Sequence, residues 1–148
     1  MPNINKSKVV SYPQNQMYEL VNDVESYSEF VPFCSESRID SCTHEEIRAT
    51  ISFAWGGFSK SFTTLNRLQP YRMIEIQLIN GPFRQLEGFW RFGPLDGDRC
   101  RVSLDLEFEF ASRCLGLTLM FGPLLNQVAT LLVDAFCERA DVVYGKKA

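Results

Sequence analysis

Residues 114–133 read Cys114-Leu115-Gly116-Leu117-Thr118-Leu119-Met120-Phe121-Gly122-Pro123-Leu124-Leu125-Asn126-Gln127-Val128-Ala129-Thr130-Leu131-Leu132-Val133, a run without a single charge. Leu115, Leu119, Phe121, Leu125, Val128, Leu132, Ala135 and Phe136 make a broad apolar stripe at helical spacing, with Gln127, Asp134, Glu138 and Asp141 on the outer side. The run is long enough to cross a bilayer. Yet Gly122-Pro123 and Asn126-Gln127 fall near its middle, and Asp134, Glu138, Arg139 and Asp141 continue the same helical pattern. Polar groups at that depth are costly in lipid. The segment is therefore predicted to be a buried or half-buried helix of a soluble domain. Ser112 is placed to cap it, and Pro123 to kink or split it, because the proline ring opposes the carbonyl one turn back. Tyr144-Gly145 is a plausible end.

What precedes this helix alternates. Val102, Leu104, Leu106, Phe108 and Phe110 interleave with Arg101, Ser103, Asp105, Glu107 and Glu109, which describes a strand with one apolar and one wet face. Ile47, Ala49, Ile51, Phe53 and Trp55 alternate in the same way, and Phe58–Leu68 returns after the Gly56-Gly57 turn. Ile74, Ile76 and Leu78 form a further strand, and Asn80-Gly81-Pro82 breaks it. Leu86, Gly88, Trp90 and Phe92 then face one way, with Gln85, Glu87 and Arg91 opposite, up to the turn at Asp96-Gly97. No strand is followed by a helical crossover, which excludes a doubly wound parallel fold.

The N-terminal part differs. Ile4–Ser11 suits an edge strand. Pro13 fits a first helical turn with Ser11 as a possible cap, and Met17, Leu20, Val21 and Val24 predict an amphipathic helix over 14–24. Residues 25–30 read as a second short helix stopped by Pro32. The order β-α-α followed by strands and one long helix predicts an α+β helix-grip fold. In it a curved antiparallel sheet of six or seven strands wraps the C-terminal helix, all within one domain spanning residues 1–148. A greasy helix laid across an apolar sheet face either fills the space between them as dry core or leaves a closed hydrophobic pocket.

Several chemistries are excluded early. Cys34, Cys42, Cys100, Cys114 and Cys137 are odd in number and scattered without a C-x-x-C, which speaks against a disulfide framework and a structural zinc site. His44 is the one histidine and lies in the polar stretch Thr43-His44-Glu45-Glu46, so neither a histidine-rich metal site nor a Cys-His nucleophilic pair is expected. A net charge of −3 gives no global field favouring nucleic acid. The N-terminus has neither an apolar signal core nor an Arg-rich amphipathic pattern, so a bacterial-type cytoplasmic protein is expected.

Three segments carry a resemblance. Met17-Tyr18-Glu19-Leu20-Val21-Asn22-Asp23-Val24-Glu25 with Phe30-Val31-Pro32-Phe33-Cys34 is the first. The most specific is Gly81-Pro82-Phe83-Arg84-Gln85-Leu86-Glu87-Gly88-Phe89-Trp90-Arg91-Phe92. Ala135-Phe136-Cys137-Glu138-Arg139-Ala140 with Val143-Tyr144-Gly145 completes the set. Over nearly the whole chain this resembles the START-like proteins grouped as coenzyme Q-binding proteins and bacterial RatA ribosome-association toxins, once called oligoketide cyclases.

The resemblance implies two activities. One is binding of ubiquinone or another polyprenyl quinone in support of respiratory electron transfer, with peripheral contact at the inner membrane. The other is that of a toxin which binds the large ribosomal subunit, blocks its joining to the small one, and is paired with an antitoxin. The quinone reading is the leading expectation. Each buried CH₂ of an isoprenoid tail contributes ~0.8 kcal/mol, so the site needs grease more than polar chemistry, and no cofactor is required. The expected lining is Leu86, Trp90, Leu104, Leu106 and Phe108 from the sheet and Phe121, Leu125, Val128 and Leu132 from the helix, with Phe33, Phe83 and Phe89 as a rim. Pro32-Phe33 and Gly81-Pro82-Phe83 read first as strand terminators, and Glu87 with Arg91 as a surface ion pair. The ribosomal reading draws on Arg84, Arg91, Arg99, Arg101, Lys60, Arg67 and Arg72, diluted by Asp105, Glu107 and Glu109. A cyclase would need an acid or base inside the cavity, and no inward His, Asp or Glu stands out.

Overall fold

The computed structural model describes residues 3–55, 58–111 and 127–145. The Gly56-Gly57 turn, the Ser112 cap, the Pro123 kink, Phe121, Leu125 and Cys114 lie outside them. Seven strands form one antiparallel sheet in the order β1-β7-β6-β5-β4-β3-β2. They are β1 (Asn3–Val10), β2 (Cys34–Cys42), β3 (Glu46–Trp55), β4 (Phe58–Gln69), β5 (Met73–Asn80), β6 (Phe83–Leu95) and β7 (Arg99–Phe110). Consecutive strands pair from β2 to β7, and β1 closes the far edge against β7. Between the two edge strands lie helix α1 (Gln14–Asn22) and a 3-10 helix (Val24–Glu29). Helix α2 (Val128–Tyr144) follows the sheet. This is the helix-grip arrangement.

Helix α1 begins one residue after Pro13, which occupies the N-cap position with no side-chain cap bond, so Ser11 does not cap it. The carbonyl of Pro13 instead accepts from the backbone N–H groups of Gln16 and Met17. The helix ends at Asn22, two residues short of the expected limit, and Val24 opens the 3-10 helix. The Tyr27 hydroxyl donates to the Val21 carbonyl and ties the two together.

The main core joins α1, α2 and the middle of the sheet through Met17, Val21, Ile74, Trp90, Phe92, Val102, Leu104, Val133 and Phe136. The fully buried line of α2 runs through Ala129, Val133, Phe136, Cys137 and Ala140, while Val128 and Leu132 flank it half-buried. The expected stripe is thus turned slightly, toward Ala129, Val133, Cys137 and Ala140. Contacts pin the helix along its length: Lys8 to Asp134 at 3.6 Å, Arg139 to Glu29 at 2.9 Å, and the Tyr144 hydroxyl to the Gln16 carbonyl at 3.1 Å.

Two glycines let the sheet coil. At Gly88 on β6 an added Cβ would stand 2.3 Å from the Asp105 carbonyl oxygen and 3.1 Å from the Leu106 Cα, so β6 and β7 approach more closely than a side chain allows. Gly81 has φ 154°, and a Cβ there would fall 2.5 Å from the Cβ of Phe62.

Candidate functional site

The apolar residues under the sheet do not form one continuous core. Besides the main cluster, Leu86, Leu106 and Phe108 form a separate one, with Phe62, Leu78, Phe83 and Val128 packed against it. Between the two clusters lies a cavity of about 250 Å³, whose described wall draws on both. The wall takes Ile51 and Phe53 from β3, Phe62, Thr64 and Asn66 from β4, and Ile76 from β5. Phe83, Leu86 and Trp90 come from β6, Leu106 and Phe108 from β7, and Val128, Leu132 and Phe136 from α2. Tyr27, Val31, Pro32, Phe33 and Cys34 complete it.

Aromatic rings stiffen this wall. Phe136 meets Trp90 edge-on at 5.1 Å, Tyr27 at 5.3 Å and Phe30 at 5.1 Å. Phe62 meets Phe83 at 5.4 Å and Phe53 at 5.9 Å, and Phe83 meets Phe108 at 6.2 Å. Such tilted and edge-to-face pairs add to the stabilisation that burial alone gives. Phe33 is 37% exposed while lining the cavity, so it belongs to the opening, and it holds a left-handed backbone at φ 66°. Its carbonyl accepts from the Ala54 N–H at 2.9 Å, which anchors the segment to β3.

Ionisable groups are few. Burial pushes the Cys34 thiol up from its ordinary value and raises the Tyr27 phenol strongly. Both are held neutral near pH 7, which fits a wall built to exclude water.

Of the expected lining, Leu86, Trp90, Leu106, Phe108, Val128 and Leu132 do face the cavity, and so do Phe33 and Phe83 of the expected rim. Leu104 does not. It is 1% exposed in the main core, opposite Trp90 on β6 and Lys6 on β1. Alternation selects a face of β7 but not a position along it: Val102 and Leu104 join the main core, while Leu106 and Phe108 belong to the separate cluster beside the cavity. Phe89 is also misplaced as a rim residue. It lies on the opposite face of β6 from Leu86 and Trp90, with the Arg91 guanidinium 4.3 Å above its ring. Arg91 therefore stacks on Phe89 and forms no ion pair with Glu87, which accepts instead from the Gln85 side chain at 3.1 Å.

The wall also holds two polar residues that periodicity alone had passed over. Thr64 and Asn66 are 3% and 8% exposed, and the Thr64 hydroxyl donates to the Asn66 side-chain oxygen at 2.9 Å. The signal was present: they share parity on β4 with Phe62 and Leu68, which marks them as inward.

The outer face of the sheet is different in kind. A groove over β5, β6 and β7 is lined by Glu75, Glu87, Asp105 and Glu107 with Arg91 and Phe89. Arg84 is paired with Glu109 at 2.7 Å, and Arg67 with Glu46 at 3.7 Å. The arginines of this face are thus diluted by carboxylates. Among the described residues no helix is long and apolar enough to cross a membrane, and no group of side chains is arranged to hold a metal ion.

Comparison with known proteins agrees with this architecture. The chain is 43% identical to the ribosome association toxin RatA of Pseudomonas aeruginosa over 142 residues, covering 96% of this chain and 97% of that one. It is 30% identical to the mitochondrial coenzyme Q-binding protein COQ10 homolog B of Xenopus laevis, covering 96% of this chain and 59% of that protein. Its fold superposes on the Zhui aromatase/cyclase of Streptomyces sp. R1128 with a TM-score of 0.80 at 16% identity, covering 99% of both chains. The family model for polyketide cyclase/dehydrase and lipid transport matches residues 10–137. The chain belongs to that polyketide cyclase/dehydrase and lipid transport family, with the RatA toxins among its relatives.

Proposed function

We propose that this protein associates with the ribosome, binding the large subunit and keeping it from joining the small one, and so restrains translation. The end-to-end match to the Pseudomonas aeruginosa ribosome association toxin carries this reading. It is closer than the match to the coenzyme Q-binding relative, so the order of the two expectations is reversed. The carboxylates of the outer groove argue against RNA phosphates as the partner of that face. Contact with RNA is therefore sought on other surfaces. Purified protein added to ribosomes and run through a sucrose gradient should lower the joined-ribosome peak and raise the free subunits. An unchanged profile at molar excess of protein contradicts the reading.

A second role, compatible with the first, is favoured by the cavity itself: the site holds an apolar ligand, a polyprenyl quinone or another lipid. Its volume of about 250 Å³ lies just under the usual ~300–1,000 Å³ range of ligand pockets. It suits a ring and the first part of a chain, with the rest of a long tail outside. Among the described residues the wall presents no His, Asp or Glu, which supports binding rather than cyclisation. Mass spectrometry of an organic extract of the purified protein should reveal a lipid. An empty extract, together with no uptake of offered quinone, contradicts this role.

A further inference from the structure

The buried Thr64–Asn66 pair has no evident structural task. Asn66 is more than nine-tenths buried, and its side-chain oxygen is occupied by the Thr64 hydroxyl at 2.9 Å. That bond sets the amide's orientation and leaves the NH₂ group as the free end. Among the described residues nothing accepts a hydrogen bond from the Asn66 Nδ2. Asn66 is one of the residues that line the cavity, and its amide is not among the sealed, unpartnered polar atoms of the core. A donor pair facing an otherwise apolar space is costly unless an acceptor meets it. The backbone of β4 needs no such side chains here, since Thr64 and Asn66 already pair in register with Ala49 and Ile47 on β3 and with Leu78 and Ile76 on β5. A Val or Leu would satisfy the strand equally well.

We infer that Asn66 is a polar anchor inside the cavity, donating from Nδ2 to the carbonyl oxygen of an otherwise apolar ligand, with Thr64 as the residue that positions it. The inference rests on the cavity's proposed role in holding an apolar ligand and narrows the class: a hydrophobic molecule bearing a hydrogen-bond acceptor, not a bare hydrocarbon. Selectivity follows from desolvation. A ligand with a carbonyl satisfies the amide on entering, whereas a hydrocarbon of the same shape displaces water and leaves the donors unmet.

Heptanophenone and heptylbenzene make the test, since they share ring and chain and differ by one carbonyl oxygen. Neither alkylates a thiol such as that of Cys34 on the cavity wall. Calorimetric titration of the wild-type protein should show heptanophenone binding tighter by about threefold to tenfold, the range a single neutral hydrogen bond supports. Asn66→Leu should remove that preference while holding or improving affinity for heptylbenzene, and Thr64→Val should reduce it through loss of the amide's orientation. A merely structural role would lower both affinities together. Equal binding of the two probes by the wild-type protein overturns the anchor and leaves the cavity reading standing, and this comparison needs no variant to fold. Binding of neither probe overturns the cavity reading and the anchor with it.

Discussion

Val128 stands half-buried at the first turn of α2, packed against Leu86, Leu106 and Phe108 where the cavity opens beneath it. Val128→Trp should push its indole into that space at small cost, with an unfolding free energy from urea titration within about 1 kcal/mol of the parent. A closed core would charge ~1–3 kcal/mol or more for the same overpacking, so a large loss of stability would mean that there is no room. The thiols of Cys100 and Cys137 offer a second test, because burial pushes both up to about 11 from an ordinary 9.0. The unfolded chain ionises them first as the pH rises. Their contribution to stability is therefore intact below about pH 9 and lost between about 9 and about 11. Urea unfolding at several pH values should show a slope over that window that flattens in the Cys100→Ala, Cys137→Ala double variant; an unchanged slope contradicts it. At this scale the sequence was legible as to face and silent as to depth. The parity of Leu86, Trp90, Leu106 and Phe108 placed them inward, but nothing local separates Leu106 on the cavity wall from Leu104 in the main core. Phe89 shows the reverse: its parity was readable, but its place beside Gly88 suggested a rim.

Among the elements, β7 and α2 carried the clearest patterns because each has one face against the core. β2 carried the faintest, since Cys34–Cys42 is an edge strand, mostly exposed, with irregular register at Cys34/Glu36 and Ile39/Ser41. An edge strand with little to bury has no apolar alternation to read. The coil of β6 over β7 depends on Gly88, where the atom an added Cβ would strike first is the backbone carbonyl oxygen of Asp105, at 2.3 Å. Gly88→Ala should cost about 1–3 kcal/mol or more in urea unfolding, and a variant as stable as the parent would mean that the close approach is not required. On the helix, Phe136 is 2% exposed and touches Trp90, Tyr27 and Phe30. Phe136→Ala should lose about 3–5 kcal/mol, and a loss under about 1 kcal/mol would contradict its place as the joint between helix, sheet and cavity.

For the molecule as a whole, the helix-grip outline was readable from element order, and the family from three separated segments. Which of the two proposed activities dominates was not, because holding a lipid would place its demands on the cavity wall and binding a ribosomal subunit on the outer surface. A filled cavity separates them: Val128→Trp should lose lipid and still act on ribosomes if the two use different parts of the chain. Pelleting shows directly whether the protein binds the large ribosomal subunit. Purified protein is mixed with isolated large or isolated small subunits, centrifuged through a cushion, and quantified in each pellet. Saturable recovery near one copy per large subunit, and none above background with the small one, is the expected result. Protein that stays in the supernatant with both, or pellets equally with both, would contradict it.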